Sequence, residues 1–585
     1  MAEQSGTGAT SSGDVKTLEV GLRPLLSMMW RAFRASPQCM ELVILGGATF
    51  AVVGATAYGQ IRLNAWNQPF YDALAKKDFY AFLHQLLMFL VIAAGLLGLN
   101  VAQTWLNQMI KLKSREGLLG DLLKEWLVPG RAFRLAGAGE IGINPDQRID
   151  QDAQHLTELS TDLGIGLLQA SLLLVSFIGV LWFLSDKVTF MFDGAAFSIP
   201  GYMVWCALLY AAVGSGLSWR VGRPLIPLNA ERYAREADLR FALVRVNEHT
   251  DSIALYGGEE NEKKRLGRDV DNLVEVMRRL VTGLTRLTWV TSGYGWLAIV
   301  APILAASPGF FGGDLTLGGL MVAAGAFTQV QQSLRWFVDN FNTIADWLAT
   351  LRRVASFRLA LVEMGEPTAK NGQIERSAGN DAKITFDNLR IGVPPASGTL
   401  AETHVEIAPG ERVLVTGASR AGLTILFRAV AGLWSSGGGR IGLPASEAVM
   451  FLPQRPYMPP GVLRDVLSYP SPSKSFSDDD LAAACQSVDL GRLSSDLDRN
   501  ANWDNELTSD EAQRLAFARL LLHKPHWICI DQGLNGLSEV ERKKIVTMFH
   551  DELVHAAVIT FDENDLCRDF STRTLHLVYA PEAKG

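Results

Sequence analysis

The chain has 585 residues, of which 48% are hydrophobic, 9% aromatic and only 20% charged. Such a length exceeds what one soluble core needs, so at least two domains are expected. A formal net charge of −7 argues against nucleic acid as a partner, because phosphate backbones are bound by basic surfaces. The five cysteines are scattered and lack metal-ligand spacing, which predicts reduced thiols and no metal site.

The chain begins with small, polar and partly acidic residues, MAEQSGTGATSSGDVKTLEVG. A signal peptide would start with basic residues and continue with an apolar run. The sequence therefore predicts a disordered cytoplasmic tail over residues 1–24, followed by a membrane domain over residues 25–360.

Six stretches of the membrane domain are apolar over roughly 20 residues, the length that crosses the hydrocarbon core. They are residues 41–62, 82–106, 162–184, 200–219, 287–308 and 316–340. Lysines and arginines concentrate between spans two and three and between spans four and five, and they are sparse in the opposite loops. By the positive-inside rule, both termini are predicted to lie in the cytoplasm. The two inner connections are long, which predicts that the spanning helices continue into the cytoplasm.

Residues 381–585, which follow a predicted linker over 361–380, have the composition of a soluble α/β domain. A loop between a predicted strand and a predicted helix has the pattern G-x-x-x-x-G-x-T, and its matching residues are Gly417, Gly422, Leu423 and Thr424. In phosphate loops the glycines let backbone N–H groups surround phosphate, and the helix N-terminus adds positive potential. The pattern predicts a nucleotide site, but taken alone it is short enough to occur by chance.

Two further segments follow in the order typical of an ABC nucleotide-binding domain. Gln454 lies in FLPQRPYMPPG, which resembles a Q-loop. The segment LTSDEAQRLAFARLLLHKPHWICIDQ resembles a signature helix followed by a Walker B strand, with Asp531 as the acid that would hold magnesium. The ordered set resembles the ABC family. It implies an α/β ABC nucleotide-binding domain joined to an α-helical, six-span membrane domain of the ABC exporter-like type.

Four residues depart from that family pattern at positions that carry chemistry. Leu423 replaces the lysine that contacts the β- and γ-phosphates, and Asp510 stands where the signature has a glycine. Gln532 replaces the glutamate that acts as general base, and Glu563 lies where a switch histidine is expected. Loss of a general base alone costs about 10²–10⁴-fold in rate. We therefore predict a degenerate domain without catalytic residues, with negligible ATP hydrolysis and no assured ATP or magnesium cofactor.

Blocks of the membrane domain carry a more specific resemblance. They are LNAWNQPFYDAL (63–74), NPDQRI (144–149), IPGYMVW (199–205), GRPLI (222–226), READLRF (235–241) and IALY (253–256). These blocks resemble the SbmA/BacA-like peptide transporters, and the two-domain layout resembles their ABC-fused relatives, which are akin to peroxisomal fatty-acyl ABC transporters. The resemblance implies import of bulky cargo, such as antimicrobial peptides or cobalamin, across a bacterial inner membrane. It also implies proton-driven transport in members without the ABC domain and ATP-driven transport in the fused members.

Acidic residues after span four allow two interpretations. They are Glu231, Glu236, Asp238 and Glu248, and they lie among several arginines. Charges of opposite sign four residues apart stabilise a solvated helix, so a salt-bridged cytoplasmic helix is one interpretation. The other is that one or more of these carboxylates line an inner cavity and carry protons, which requires a raised pKa.

Span six and one inner segment supply the remaining candidates. Span six carries Gln329, Gln331, Gln332, Arg335 and Asp339. Polar side chains at membrane depth are costly unless they face a water-filled cavity or a partner, so cavity lining is predicted, with location at a helix end as the alternative. Asn144, Asp146 and Arg148 form either a capped helix start or a contact that couples the membrane domain to the nucleotide-binding domain.

One membrane domain with one nucleotide-binding domain is half of a transporter. We therefore predict a homodimer in the lipid bilayer, with a heterodimer as the alternative. The leading functional hypothesis is proton-driven import of peptides or other bulky hydrophilic cargo. The alternatives are an ATP-driven ABC half-transporter and a membrane scaffold or sensor that transports nothing.

Overall fold

The computed structural model describes residues 22–585 except 138–141, 143, 187, 189, 193–194, 198, 365–372, 379–382, 394–395, 418, 445–448, 564–567, 569 and 582–585. The chain forms two compact units. Unit 1 consists of Met1–Leu127 and Ala138–Glu363, and unit 2 consists of Val128–Gly137 and Met364–Gly585. Most of the predicted tail and part of the predicted linker lie outside the described residues.

Unit 1 is built of helices that we number in chain order. They are α1 (Leu22–Ala35), α2 (Cys39–Ala75), α3 (Phe79–Trp126), α5 (Pro145–Gln147), α6 (Ala153–Ser185), α7 (Tyr202–Gly222), α8 (Leu225–Glu248), α9 (Thr250–Tyr256), α10 (Glu259–Phe311), α11 (Leu317–Asp339) and α12 (Phe341–Glu363). The short helix α4 (Arg131–Ala136) belongs to unit 2. A π-helical turn, Arg148–Asp152, joins α5 to α6, and the hairpin β1 (Phe190–Phe192) and β2 (Ala195–Phe197) follows α6.

Five helical segments are long and apolar enough to cross a membrane by length and composition. They are Cys39–Ala75, Phe79–Trp126, Pro145–Ser185, Tyr202–Gly222 and Glu259–Phe311. These segments coincide with the first five predicted spans. The predicted sixth span falls on α11, which is helical but carries amides and charges in its second half. The expected count of six spans is therefore not confirmed for the described residues.

Helices α2 and α11 approach each other closely because two glycines of α11 face α2. A Cβ at Gly318 would lie 2.2 Å from the backbone oxygen of Gln68, and one at Gly325 would lie 2.2 Å from Oδ1 of Asn64. The Asn64 amide Nδ2 donates to the backbone oxygen of Val322 over 3.1 Å. Small residues allow such close backbone contact, which is the main source of helix association in lipid.

Unit 2 is an α/β domain. Its strands are β3 (Glu375–Ala378), β4 (Ile384–Val393), β5 (Ala396–Leu400), β6 (His404–Ile407), β7 (Arg412–Gly417), β8 (Gly437–Leu443), β9 (Val449–Leu452), β10 (Gly461–Val462), β11 (Asn500–Ala501), β12 (Trp527–Asp531), β13 (Ala557–Phe561) and β14 (Arg573–Pro581). Its other helices are α13 (Arg420–Val430), α14 (Leu463–Ser468), α15 (Asp478–Ser487), α16 (Trp503–Glu506), α17 (Ser509–His523) and α18 (Glu539–Asp551).

The large sheet of unit 2 has the order β3-β8-β4-β5-β14-β7-β13-β12-β9, and β6 pairs with β4. Strands β7, β13, β12 and β9 are parallel neighbours. Every residue of β12 and β13 is buried, as expected for parallel strands covered on both faces. The carboxyl ends of these four strands therefore meet at one edge of the sheet, where ligands of open α/β sheets bind.

Candidate functional site

The predicted phosphate loop lies at this edge, between β7 and α13. Ser419 caps α13, because its side chain accepts a hydrogen bond from the backbone N–H of Gly422. Gly417 has no room for a side chain, since a Cβ there would lie 2.8 Å from the backbone oxygen of Leu577 on β14. Strand, capped turn and helix N-terminus are the parts that a phosphate loop needs.

Leu423 does not point into the mouth of this loop. Its side chain is fully buried in the core cluster that also contains Val413 and Val415 of β7 and Phe427 of α13. The residue that replaces the expected lysine is therefore a packing residue. Leucine in place of lysine removes a positive charge from the site and adds an apolar side chain to the core beneath the loop.

Thr424 and Asp531 are brought together by the strand order. The Thr424 hydroxyl donates to Oδ1 of Asp531 over 3.2 Å, which joins the N-terminal half of α13 to the end of β12. Asp531 is 3% exposed, and this burial raises the pKa of its carboxyl above the ordinary value. A buried carboxyl beside a hydroxyl is the kind of oxygen pair that suits a hard divalent cation.

Gln532 follows Asp531 and is also buried, with 2% exposure. Neither Nε2 nor Oε1 of its amide has a hydrogen-bond partner among the described residues. Its backbone has a φ of +51°, a left-handed conformation that is unusual for a residue other than glycine. A buried amide without partners is costly and therefore calls for a ligand or a water. Gln454 lies two residues beyond β9 at the same edge, and it is exposed.

Glu563 contacts an arginine that the sequence analysis did not single out. Arg420, the first residue of α13, donates from Nε to Oε1 of Glu563 over 3.0 Å, and its Nη2 contacts the same oxygen. Glu563 lies two residues beyond β13, and the backbone N–H of Asp562 donates to the oxygen of Val415 on β7. The segment that carries Glu563 is thus held against the phosphate loop.

The signature-like segment places acids at the start of α17. Thr508 caps this helix and forms a capping box with Glu511. Asp510 pairs with Arg514, with Oδ2 and Nη2 3.2 Å apart. Hydrogen bonding from Thr508 and the nearby Arg514 hold the pKa of Asp510 below its usual range. The N–H groups at the N-terminus of α17 favour an anion. The carboxylates of Asp510 and Glu511 already supply negative charge there.

A cavity of about 750 Å³ lies in unit 1. Its polar wall consists of Asn67 on α2 and Thr328, Gln329, Gln331, Gln332, Arg335 and Asp339 on α11. Its apolar wall includes Ala298, Ile299, Pro302 and Ile303 on α10. Arg335 donates to Asp339 over 3.2 Å, and its guanidinium lies 5.8 Å from the ring centre of Tyr294. The structure thus brings together, around one cavity, the polar residues of the predicted sixth span.

The sequence of unit 1 is similar to a known family of transmembrane regions. Residues 29–311 match the family described as ABC transporter transmembrane region 2. The match lies mostly within unit 1, which holds the five candidate membrane spans, and it supports a multi-pass membrane protein.

Sequence similarity to curated relatives extends over both units. The inner membrane ABC transporter ATP-binding protein YddA of Escherichia coli is 27% identical over 537 residues, which cover 92% of this chain and 93% of that protein. ABC transporter D family member 2, chloroplastic, of Arabidopsis thaliana is 27% identical and covers 84% of this chain and 77% of its own length. Human ATP-binding cassette sub-family D member 3 is 25% identical, with 81% and 76% coverage.

A solved structure supports the fold. A bacterial Atm1-family ABC exporter with ATP bound superposes with a TM-score of 0.66 at 16% identity, over 95% of this chain and 94% of the exporter. The comparisons thus support the ABC D-family side of the resemblance inferred from the sequence. They give no support to its SbmA/BacA side.

The acidic candidates lie on α8 beside arginines. Glu231 accepts from Arg279 of α10 over 2.8 Å. Glu236 lies 3.4 Å from Arg232, and Asp238 lies 3.6 Å from Arg235. Glu248, at the end of α8, is exposed. This arrangement resembles a solvated, salt-bridged helix more than a set of buried proton carriers.

The predicted coupling residues lie in unit 1, at the start of the third candidate span. Asn144 precedes α5 in a left-handed conformation, Asp146 lies within α5, and Arg148 donates to Asp152 over 2.7 Å. Asp152 is buried and also accepts two bonds from Arg353 of α12. These contacts join α5, α6 and α12 within the membrane unit.

Helix α4 belongs to a different unit from the one that the sequence predicts, because residues 131–136 fall within the predicted membrane domain. It belongs to unit 2, where the Arg428 guanidinium of α13 lies 5.8 Å from the ring centre of Phe133. Arg134 donates to the backbone oxygen of Met364 over 3.1 Å, and Leu135 is 1% exposed. Phe133 and Leu135 are two residues apart, which is not the spacing of one helix face, so the local sequence carries no signal for this assignment.

Proposed function

We propose that this chain is one half of an ABC transporter in which two copies form the transport pathway and nucleotide binding to unit 2 drives it. The observation that carries the proposal is the contact between Thr424 and Asp531, because it preserves the oxygen pair of a nucleotide site at the expected edge of the sheet. The curated relatives named as ABC transporter ATP-binding proteins support it as well. We therefore prefer the nucleotide-driven alternative to proton-driven import.

The residues at this edge fit a magnesium ion. Asp531 and Thr424 would hold it, since both supply oxygen atoms and the buried Asp531 carboxyl gains from a nearby cation. When bound with nucleotide, magnesium neutralises the charge on the phosphate oxygens. Thr424 orients Asp531, and the loop that precedes α13 would supply backbone N–H groups to the phosphates.

We further propose that nucleotide hydrolysis is slow. Gln532 has an amide where a carboxylate would accept the proton of the attacking water, and an amide is a very weak base. Asp510 places negative charge at the N-terminus of α17, where a phosphate group would otherwise be attracted. In this proposal the domain is degenerate in catalysis: nucleotide binding switches the transporter, and slow hydrolysis returns it to its starting state and limits the rate of transport.

The cavity of unit 1 is proposed as the cargo site. Its volume of about 750 Å³, its amides and the Arg335–Asp339 pair on one side, and the apolar wall of α10 on the other suit cargo with both polar and apolar groups. Peptides have this character, so peptide or other bulky cargo stays the proposed class. We also keep the homodimer in a bacterial inner membrane as part of the proposal, with a detergent-solubilised mass near twice the 63.9 kDa chain as its check.

Transport in liposomes separates the two energy sources. The purified full chain is reconstituted, and a labelled antimicrobial peptide is followed with Mg-ATP or with a proton gradient. We expect ATP-dependent transport that is lost in Asp531→Asn and kept in the control Asp479→Asn, an exposed acid on α15. The proposal would be contradicted if transport requires the proton gradient, does not change with ATP, and is equal in the wild type and in Asp531→Asn.

Proton-driven import stays the second candidate, because Leu423, Asp510, Gln532 and Glu563 do depart from the family pattern. It predicts that Glu→Gln or Asp→Asn changes among the α8 acids alter the response to the proton gradient. No transport with either energy source would favour the scaffold or sensor.

A further inference from the structure

The phosphate loop contains a cation, Arg420, at a position that the family pattern leaves open. Arg420 occupies the first turn of α13, three residues before the buried Leu423. Arg428 is the next cation of α13, eight residues further along the helix, which corresponds to roughly 12 Å of rise. Arg428 faces Phe133 of α4. Among the described residues of β7, the loop and α13, Arg420 is thus the cation at the helix N-terminus.

The guanidinium of Arg420 lies at the phosphate loop and is also accessible to a ligand. Its side chain is 56% exposed, whereas Leu423 is fully buried. Both contacts with Glu563 use one edge of the guanidinium, Nε and Nη2. Arginine has a planar fork of five N–H donors that matches phosphate as well as it matches carboxylate. A phosphate group can therefore take the place of the Glu563 carboxylate without a change in the donor.

The surroundings indicate that a ligand belongs here. Thr424 and Asp531 form the oxygen pair next to the loop, and Gln532 has a buried amide with no hydrogen-bond partner among the described residues. An ion pair between exposed side chains is weak, so an anion with several charges can displace one carboxylate from it. The pair would hold the arginine in the loop while the site has no ligand.

We propose that Arg420 is the cation with which this loop binds the terminal phosphates of a nucleoside triphosphate, and that Glu563 holds it by a contact that the phosphates displace. Arg420, at the edge of the loop, thus supplies the positive charge that Leu423 lacks. Glu563 competes with the ligand and lowers its affinity. This inference rests on the proposed function, because it takes the loop to be a nucleotide site.

The test measures binding of a fluorescent ATP analogue with magnesium to the full chain in nanodiscs, which needs no turnover. We expect Glu563→Gln to tighten binding up to about fivefold, as loss of a weak exposed ion pair allows. Arg420→Ala should weaken binding at least about tenfold, as expected for loss of charge-assisted hydrogen bonds. In the double variant, Glu563→Gln should have no further effect on affinity. Glu563 and the phosphates compete for Arg420, and this variant lacks Arg420.

Arg440 and Glu375 give a matched control. They form another exposed ion pair of unit 2, with Nη2 and Oε2 3.2 Å apart and side-chain exposures of 58% and 71%. Arg440→Ala and Glu375→Gln should leave the affinity unchanged. Inorganic tripolyphosphate should compete with the analogue in the wild type and lose most of its effect in Arg420→Ala, because Arg420 contacts phosphate and not the base.

Two results would overturn the inference in different ways. If the wild type binds nucleotide but Arg420→Ala binds equally well, or if Glu563→Gln tightens binding even without Arg420, the inference fails and the proposed function stands. If neither the wild type nor Glu563→Gln binds nucleotide while Thr424 and Asp531 are intact, the nucleotide-driven function fails together with the inference.

Discussion

Replacement of Leu423 by alanine should destabilise unit 2 and leave nucleotide affinity nearly unchanged. Leu423 occupies the position of the phosphate-binding lysine, so its functional and structural roles predict opposite outcomes. In the structure its side chain is fully buried among residues of β7 and α13. A packing role therefore predicts loss of stability, and a ligand-contact role predicts loss of binding.

The size of the effect follows from the carbons removed. Leu→Ala deletes three buried carbons, which corresponds to about 2.4 kcal/mol of transfer free energy. The cavity left in a packed core adds to this value, so the free energy of unfolding should fall by about 3–4 kcal/mol. For a domain of 150–250 residues, that loss lowers the melting temperature by about 6–16 °C.

Differential scanning fluorimetry of the full chain, combined with the nucleotide-binding measurement, provides the assay. Arg420→Ala serves as the opposite control, because an exposed ion pair contributes only about 0–1 kcal/mol, so its melting temperature should scarcely change. If Leu423→Ala melts like the wild type, or if it loses nucleotide affinity while keeping its melting temperature, Leu423 is not a core residue and the reasoning is refuted.

Three further predictions concern the chemistry of the two sites. Gln532→Glu should raise ATP hydrolysis above background by up to about 10²–10⁴-fold, and more so at higher pH, because a carboxyl at this buried position has a raised pKa; phosphate release measured against pH checks this, and a flat, background rate would contradict it. Burial raises the pKa of Asp531, so magnesium-dependent nucleotide affinity should fall as the pH is lowered through that pKa, and Asp531→Asn should remove this dependence. Arg335→Gln should lower cargo transport without altering nucleotide affinity, and equal transport in both proteins would exclude Arg335 from the cargo site.

Much of the architecture could be predicted from the sequence because its signals are periodic or ordered along the chain. Five spans stand out as long apolar runs, and Gly417, Thr424 and Asp531 follow one another in the spacing of the ABC fold. The predicted sixth span is not confirmed by length and composition, because one face of α11 is polar, and that polar face lines the cavity. Composition alone therefore cannot separate a cavity-lining helix from a helix that ends outside the membrane.

Side-chain direction could not be read from the pattern. Leu423 matches a motif position, but its burial in the core cluster that contains Val413 and Val415 is visible only in the folded chain. Arg420 occupies a variable position of the motif, and its contact with Glu563 joins residues 143 positions apart. Such a contact arises from the order of β7 and β13 in the sheet, which no local pattern contains.

The assignment of α4 to unit 2 bears on how the two halves of this chain can be separated. Unit 2 is assembled from two distant stretches, Val128–Gly137 and Met364–Gly585, so no single cut releases it whole. A protein ending at residue 363 would keep Phe133 and Leu135 but lose Arg428 and Met364, which contact α4. Phe133 and Arg134 would lose these contacts, and Leu135 would keep only neighbours that precede residue 364. Transporters that exist without a cytoplasmic domain should therefore carry a polar sequence where this chain has α4.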